Sequence, residues 1–263
     1  MSEEPMNLSY LDGMTCRRIG KVVNFHRSVS STNDLAKEMA EGGCADGTVI
    51  FAEEQTGGKG RAGRRWTSPE GGVYLSVVLK GEMDLKTVNS LPLIFGLAVS
   101  KTISTTAMIE SGLKWPNDVL IGEKKVCGVL MEASVKAEEV EYVVLGIGLN
   151  VNNSLKDLDE GTRERSTTLS DEIGEKLDRR ELLRNLLYLL DLHYDRYLEG
   201  GVQRLLEEWS GRSKTIGKQV SVEDSSGDVV KGKALGVDQT GALMVRSGKK
   251  ITRIVSGDCV HLR

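Results

Sequence analysis

Residues 113–149, LKWPNDVLIGEKKVCGVLMEASVKAEEVEYVVLGIGL, contain the strongest strand signal in the chain. Three apolar runs lie within them, Leu113–Ile121, Val126–Ala133 and Val140–Leu149, and each is bounded by glycine or charged residues. Apolar runs of this length between such boundaries are typical of buried strands. We therefore expect the three runs to be strands of one sheet.

The residues on either side of this segment alternate between helix and strand patterns. Residues 31–43, STNDLAKEMAEGG, predict a helix whose first side chains offer oxygens for capping and whose final glycines end it. Short strands are predicted at Thr48–Glu54 and Gly72–Leu79, and apolar residues at helical spacings predict a helix over about 88–108. Residues 169–210 are again helical in pattern.

The last 47 residues differ in character from the rest of the chain. Residues 217–263 contain seven glycines between short β-rich runs, which predicts five short strands in a small SH3-like β-barrel. We therefore expect two domains, residues 1–213 and residues 214–263. The order of elements predicts an α+β fold, in which a mixed central sheet flanked by helices precedes the small C-terminal barrel.

The composition of the 263 residues excludes several classes of protein. The 35 basic residues nearly balance the 38 acidic ones, so the net charge of −3 gives no sign of a nucleic-acid partner. No apolar run approaches the roughly 18 residues that cross a membrane, and residues 1–10 lack the pattern of a secretory signal. We therefore expect a soluble, cytoplasmic protein. The four cysteines lack the close spacing of zinc ligands, so we expect free thiols and no metal held directly by protein side chains.

Residues 57–66, GGKGRAGRRW, form the first motif with chemical meaning. They combine four glycines with four cations and contain no acidic residue. Glycines let backbone N–H groups approach phosphate oxygens closely, and arginine offers those oxygens a planar fork. The spacing fits neither the Walker A loop nor the dinucleotide-binding fingerprint. These residues alone leave three interpretations open: a solvated mobile loop, a small-anion site, or a nucleic-acid contact.

Two further motifs lie within and just after the central segment. Lys114–Asp118, KWPND, predicts a turn at the rim of a strand, where Trp and Asn side chains can stack on and hydrogen-bond a purine. Lys125 precedes an apolar strand, and a partly buried lysine suits a carboxylate or a phosphate. The glycines of residues 146–152, GIGLNVN, are costly in a strand unless a ligand or another backbone approaches closely. Each pattern by itself is as compatible with a structural role as with a ligand site.

Taken together and in this order, the motifs resemble those of the biotin protein ligase family. They are Ser31–Asn33, Gly58–Trp66, Lys114–Asp118, Lys124–Gly128 and Gly146–Asn152. The resemblance covers nearly the whole chain from about residue 26 and implies the class II synthetase-like fold of biotin and lipoate ligases, with the family's small C-terminal domain. The roughly 25 preceding residues are too few for a helix-turn-helix domain. The resemblance therefore implies a short form without an N-terminal DNA-binding domain and without DNA as a partner.

An activity is also implied by the resemblance. Biotin and ATP, with Mg²⁺, would form biotinoyl-5′-AMP and pyrophosphate, and biotin would then be transferred to a specific lysine of a biotin carboxyl carrier protein. The Mg²⁺ accompanies ATP and has no direct protein ligand. Family members pair through sheet edges, which implies a homodimer. The alternatives are a lipoate-type protein ligase and, from a different class, a nucleic-acid-binding module that uses the basic loop.

The resemblance further assigns site residues position by position. Lys125 and Arg61 are implied as the catalytic cations, and Asp118 is a candidate to orient or deprotonate the acceptor amine. The implied biotin-binding residues are Ser31, Thr32, Asn33, Gln55, Gly58, Arg61, Lys125, Gly128 and Gly148, with Thr32, Asn33 and Gln55 at the ureido head. The implied ATP-binding residues are Lys59, Arg61, Arg64, Trp66, Lys114, Asn117 and Asn150, with Trp66, Asn117 and Asn150 around the adenine.

Overall fold

The computed structural model of this protein describes residues 11, 13–224 and 226–262. The expectation that the chain starts without a secretory signal concerns residues 1–10, which lie outside the described residues. Within the described ranges, no helix combines the length and the apolar character that crossing a membrane requires.

The larger part of the chain forms a mixed seven-stranded sheet. Its strands are β1 (Val23–Val29), β2 (Thr48–Gln55), β3 (Val73–Leu79), β4 (Gly112–Lys114), β5 (Asp118–Ile121), β6 (Lys124–Lys136) and β7 (Glu139–Leu149). In the sheet they lie in the order β1-β2-β3-β7-β6-β5-β4. β1 and β2 run parallel, connected by helix α1 (Thr32–Glu41), and the other neighbouring pairs are antiparallel. The predicted mixed central sheet is confirmed.

Helices cover both faces of this sheet. On one face, Ala36 and Ala40 of α1 pack against Ile50, Val78 and Val144. The other face packs against α2 (Leu91–Thr106), α5 (Arg179–Leu198) and α6 (Val202–Gly211), and two single-turn helices, α3 (Glu160–Glu164) and α4 (Leu169–Ile173), lie between β7 and α5 in the chain. All seven residues of β3 are buried, as expected for a central strand that is covered on both faces.

The C-terminal residues form a second, smaller sheet. Its strands are β8 (Gln219–Asp224), β9 (Val229–Val237), β10 (Leu243–Ser247), β11 (Lys250–Ile254) and β12 (Gly257–His261), in the order β11-β10-β9-β8-β12. The five predicted short strands are confirmed and are all antiparallel. Within the part of the chain that the structure describes, the outer strands β11 and β12 do not pair with each other. The proposed division between residues 213 and 214 stays a prediction.

The small sheet packs against the turn between β4 and β5. Trp115 in this turn is 1% exposed, and its indole Nε1 donates a hydrogen bond to the Gly241 carbonyl at 3.0 Å. Its backbone N–H donates to Thr215 Oγ1 at 3.1 Å. Val220 and Val222 of β8 belong to the same hydrophobic core as the large sheet. This packing brings β12 beside the basic loop of residues 57–66.

Three predicted elements differ in detail from the structure. The first apolar run is divided into β4 and β5 because the KWPND residues form a tight turn, in which Lys114 pairs with Asp118. The helix predicted over 88–108 begins at Leu91, since Pro92 is favoured in the first turn, where its missing N–H is not needed. Ser31 is the N-cap residue of α1, but its side chain makes no capping hydrogen bond.

Candidate functional site

A cavity of about 1080 Å³ lies at one end of the large sheet, beside β12. Its walls come from the start of α1, the loop of residues 57–66, the β4–β5 turn, adjacent glycines of β6 and β7, residues 157–166, and β12. A concave site of this volume is large enough for a drug-sized ligand or two smaller ones. The side chains that face this space are therefore the candidates for the chemistry of the molecule.

All the site residues predicted from the sequence, except Gly58 and Asn150, line the cavity. They are Ser31, Thr32, Asn33, Gln55, Lys59, Arg61, Arg64, Trp66, Lys114, Asn117, Asp118, Lys125, Gly128 and Gly148. These residues are separated by more than 100 positions in the chain, and the sheet brings them together. The structure thus assembles one site from all five separate motifs.

Gly58 and Asn150 lie outside the cavity lining. A Cβ at Gly58 would overlap the Trp66 carbonyl, so glycine is needed here by the folding of the loop itself rather than by a ligand. Asn150 is 4% exposed, and its Nδ2 donates to the Thr167 carbonyl at 3.2 Å while its Oδ1 accepts from Asn153. The Asn150 side chain is therefore engaged by its neighbours in the protein interior, and its expected contact with the adenine stays a prediction.

A buried polar network closes the inner end of the cavity. The backbone N–H and the hydroxyl of Thr32 lie 2.8 and 3.1 Å from Gln55 Oε1, and Gln55 Nε2 donates to Ser68 Oγ at 2.9 Å. Ser76 Oγ lies 2.7 Å from Thr32 Oγ1 and 2.6 Å from Asn33 Oδ1. Buried polar groups held by several partners have fixed orientations, so this end can recognise a small polar group by its pattern of donors and acceptors.

Glycines form the floor of the cavity. Gly128 of β6 is paired directly with Gly148 of β7. A Cβ at Gly148 would overlap the Trp66 indole, and one at Gly128 would lie 3.3 Å from it. The Trp66 side chain therefore rests against the backbone of these two strands, and its buried indole N–H has no hydrogen-bond partner among the described residues. Glycine at both positions allows a flat group to lie directly on the sheet.

Lys125 stands at the edge of this floor. Its Nζ lies 2.5 Å from Asp118 Oδ1 and 5.2 Å from the centre of the Trp66 ring, which places the ammonium in an ion pair and a cation–π contact. The backbone N–H of Lys125 donates to the Arg165 carbonyl at 2.7 Å. A register shift in the β5–β6 pairing, between Val119 and the following residue, lies beside Lys125 and re-aims the strand, as β-bulges do.

Cations of the basic loop are held at the cavity mouth by hydrogen bonds. Arg61 Nη1 donates to the Gly257 carbonyl at 3.1 Å, and Arg64 Nη2 pairs with Asp258 Oδ1 at 2.7 Å. Lys59 Nζ pairs with Asp34 Oδ1 at 2.6 Å. Burial lowers the pKa of the Arg61 guanidinium, and the nearby Asp258 carboxylate opposes this shift. The loop is thus attached to both α1 and β12.

Positive charge exceeds negative charge on the cavity wall. The cationic residues are Lys59, Arg61, Arg64, Arg65, Lys114, Lys125 and Arg165, and the carboxylates are Asp118, Glu123, Asp157, Asp159 and Asp258. A concave surface with this excess attracts anionic ligands. The geometry therefore favours the small-anion interpretation of the basic loop.

Two parts of the wall were not predicted from the sequence. Residues 157–166 and β12, including Asp258 and His261, line the cavity although no motif marks them. Their local sequence carries ordinary loop and strand patterns. Their participation depends on the pairing of Lys125 with residues 165–167 and on the packing of the small sheet, so no local signal was available.

Comparison with known proteins identifies the family. Residues 25–150 match the Biotin/lipoate A/B protein ligase family, and residues 215–262 match the Biotin protein ligase C terminal domain. The Bifunctional ligase/repressor BirA of Bacillus subtilis is 34% identical over 247 residues, which cover 94% of this chain and 76% of that protein. This chain is a member of the biotin protein ligase family.

Further relatives include other biotin protein ligases. The Biotin--[acetyl-CoA-carboxylase] ligase of Mycobacterium tuberculosis is 35% identical over 239 residues, 89% of this chain and 86% of that protein. The solved structure of the biotin protein ligase from Aquifex aeolicus in complex with biotin and ATP has a TM-score of 0.80 and 32% identity, and the match covers 92% of this chain and 99% of that one. Biotin protein ligase membership confirms the resemblance carried by the five motifs. In this ligase, the two family regions meet at the cavity, where β12 contacts the basic loop.

Proposed function

We propose that this chain is a biotin--[acetyl-CoA-carboxylase] ligase, which activates biotin with ATP and transfers it to a lysine of a biotin carboxyl carrier protein. The observation that carries the proposal is a single cavity that joins a buried polar network around Thr32 and Gln55, a glycine floor, and the Lys125 ammonium. The Aquifex aeolicus relative is in complex with biotin and ATP and superposes on most of this chain, which supports the same two substrates here.

The first step joins two anions. A biotin carboxylate oxygen forms a bond to the α-phosphorus of ATP, and pyrophosphate leaves. The carboxylate is already ionised at neutral pH, so the step needs neither an enzyme nucleophile nor a general base. Its obstacle is charge repulsion, which fixed cations reduce. We assign this role to Lys125 and Arg61, because both line the cavity; Mg²⁺ enters the proposal only as the counter-ion of the triphosphate.

The remaining site assignments follow the chemistry of each wall. The polar inner end, with Thr32, Asn33 and Gln55, suits the ureido head of biotin, and the paired glycines leave space for its chain. Trp66 and Asn117 suit the adenine, because an aromatic face and an amide can stack on and hydrogen-bond a purine. Because the Trp66 indole rests on the glycine floor, entry of biotin requires this side chain to move aside.

The second step requires a neutral amine on the carrier. The amine nitrogen forms a bond to the acyl carbon, AMP leaves, and the nitrogen loses a proton. Asp118 holds Lys125 in the described arrangement. When Lys125 turns toward the phosphate, the Asp118 carboxylate becomes available to accept that proton, and we assign it this role. The mixed anhydride is sensitive to water, so the loop of residues 57–66 must cover it until the carrier arrives.

The alternatives receive less support from the geometry. The Mycobacterium tuberculosis and Aquifex aeolicus relatives are both named as biotin ligases, and this favours biotin over lipoate as the acyl substrate. Three cations of the basic loop, Lys59, Arg64 and Arg61, are paired with Asp34, Asp258 and a backbone carbonyl within the protein, which disfavours a nucleic-acid module. We further propose, from the resemblance alone, a cytoplasmic homodimer without DNA as a partner, with residues 1–213 as the ligase domain and residues 214–263 as the C-terminal domain.

Release of pyrophosphate tests the proposal. With biotin and Mg²⁺-ATP, we expect Lys125→Ala and Arg61→Ala to fold normally and to lose about 10²–10³ in rate, the usual effect of removing one well-placed electrostatic donor. Lys124→Ala is the matched control, because Lys124 is exposed and does not line the cavity. Wild-type rates of pyrophosphate release in both cavity variants would contradict the site assignment. A carrier domain that gains mass with lipoate but not with biotin would overturn the choice of substrate.

A further inference from the structure

Glu132 lies behind the polar end of the cavity and links two residues of α1. Its Oε2 accepts a hydrogen bond from Asn33 Nδ2 at 2.8 Å, and its Oε1 accepts one from Lys37 Nζ at 2.8 Å. Glu132 is on β6 and does not line the cavity. The Lys37 ammonium also pairs with Asp34, and the pKa of Lys37 is raised, chiefly by its hydrogen bond with Glu132. The carboxylate thus serves two donors with two separate oxygens.

The contact with Glu132 fixes the orientation of the Asn33 amide. Asn33 is 4% exposed and lies so close to Gly146 that a Cβ there would overlap its Oδ1. If the amide turned over, its oxygen would face the Glu132 carboxylate, and two acceptors would meet without a proton between them. Asn33 therefore keeps Nδ2 toward Glu132 and Oδ1 toward Ser76.

This orientation determines whether the Thr32 hydroxyl offers its proton or its lone pairs to the cavity. Asn33 Oδ1 cannot donate, so it accepts a hydrogen bond from Ser76 Oγ, which lies 2.6 Å away, and this bond uses the single hydroxyl proton of Ser76. The Thr32 hydroxyl lies between Ser76 Oγ and Gln55 Oε1, which are then both acceptors, and its own proton goes to one of them. The lone pairs of Thr32 are consequently left for a donor in the cavity. Biotin offers such donors in the two N–H groups of its ureido ring.

We infer that Glu132 is a positioning residue for recognition of the biotin head, acting through Asn33 and Ser76 on the Thr32 hydroxyl. The inference rests on the proposed function, since it concerns the same site. It also requires a carboxylate specifically. A glutamine has one acceptor oxygen and one donor nitrogen, so it cannot accept from both Asn33 and Lys37, and one of the two contacts becomes donor against donor.

Two variants test this role. We expect Glu132→Gln to raise the dissociation constant of biotin, measured by calorimetry, about tenfold, which is the lower end of what one hydrogen bond to a charged group contributes. The KM for biotin should rise equally, with kcat and the KM for ATP near wild type. The double variant Glu132→Gln with Lys37→Met should recover most of the affinity, because the glutamine oxygen is then free to accept from Asn33. Glu141→Gln, on the exposed part of β7, is the matched control.

The outcomes separate the inference from the function on which it rests. Wild-type affinity in Glu132→Gln, with wild-type protein that binds biotin, would overturn the inference alone. A double variant as weak as the single one would overturn it too, because the effect would not then depend on the competition between Asn33 and Lys37. A general folding defect would lower kcat and raise the KM for ATP as well, which also contradicts a role at the biotin head. Wild-type protein that does not bind biotin overturns the proposed function itself.

Discussion

The ion pair between Arg64 and Asp258 predicts that the C-terminal sheet competes with ATP for a cation of the basic loop. The two side chains are 58% and 49% exposed and their charged atoms lie 2.7 Å apart. Exposed pairs of this kind contribute about 0.2–1 kcal/mol. If Arg64 must leave Asp258 to reach a phosphate, Asp258→Asn removes that cost. We therefore expect the KM for ATP to fall by up to about fivefold, with kcat and stability nearly unchanged.

Initial rates of pyrophosphate release, measured against ATP concentration with saturating biotin, give the required KM. The difference from wild type should shrink at high salt, because screening weakens an exposed pair. Asp258→Asn should have no effect in an Arg64→Ala background, since the competition is then absent. Asp228→Asn, an exposed carboxylate in the turn between β8 and β9 and outside the cavity, controls for net charge. An unchanged or increased KM for ATP in Asp258→Asn at low salt would refute the reasoning.

Three further predictions concern stability and reactivity. Glu53 pairs with Arg179 at 2.7 Å with both side chains nearly buried, so Glu53→Ala should cost about 3–5 kcal/mol in urea unfolding, and a loss under 1 kcal/mol would contradict this. Burial lowers the pKa of His193 from 6.5 to about 4, so the unfolded chain binds a proton at this histidine more tightly than the folded chain does. The free energy of unfolding is therefore unaffected above about pH 6.5 and decreases as the pH falls from there toward 4. Between pH 7 and pH 5 the free energy of unfolding of the wild type should decrease by about 2 kcal/mol from this cause, and it should depend less steeply on pH in His193→Gln. Equal pH dependence in the two proteins would exclude the histidine as the cause. Burial raises the pKa of Cys259 to about 11 and also raises that of Cys127, so at pH 8 these two thiols should react with a thiol reagent far more slowly in folded than in unfolded protein; equal rates would show that they are accessible.

The fold class was predictable because its main elements carry strong local patterns. The apolar runs at Val126–Ala133 and Val140–Leu149 lie within β6 and β7, and three of the seven glycines after residue 216, Gly227, Gly241 and Gly248, lie in turns between the five short strands. The capping contact of α1 was not predictable, because the side chains at its start serve the interior instead of the helix end. At α1 the hydroxyl of Thr32 and the amide of Asn33 join the buried network, so a capping contact expected from the local sequence is absent.

By itself, the sequence determined the family, the mixed sheet, and most residues of the site, since glycine-rich and cationic motifs keep their chemistry wherever the chain places them. Only the tertiary structure decided that Asn150 is buried behind the cavity while Asp258 and residues 157–166 form its wall. The link from Glu132 to the Thr32 hydroxyl likewise became visible only there. The physical reason is that these contacts join residues far apart in sequence. Strand pairing and helix packing set their distances, and no local pattern of residues encodes them.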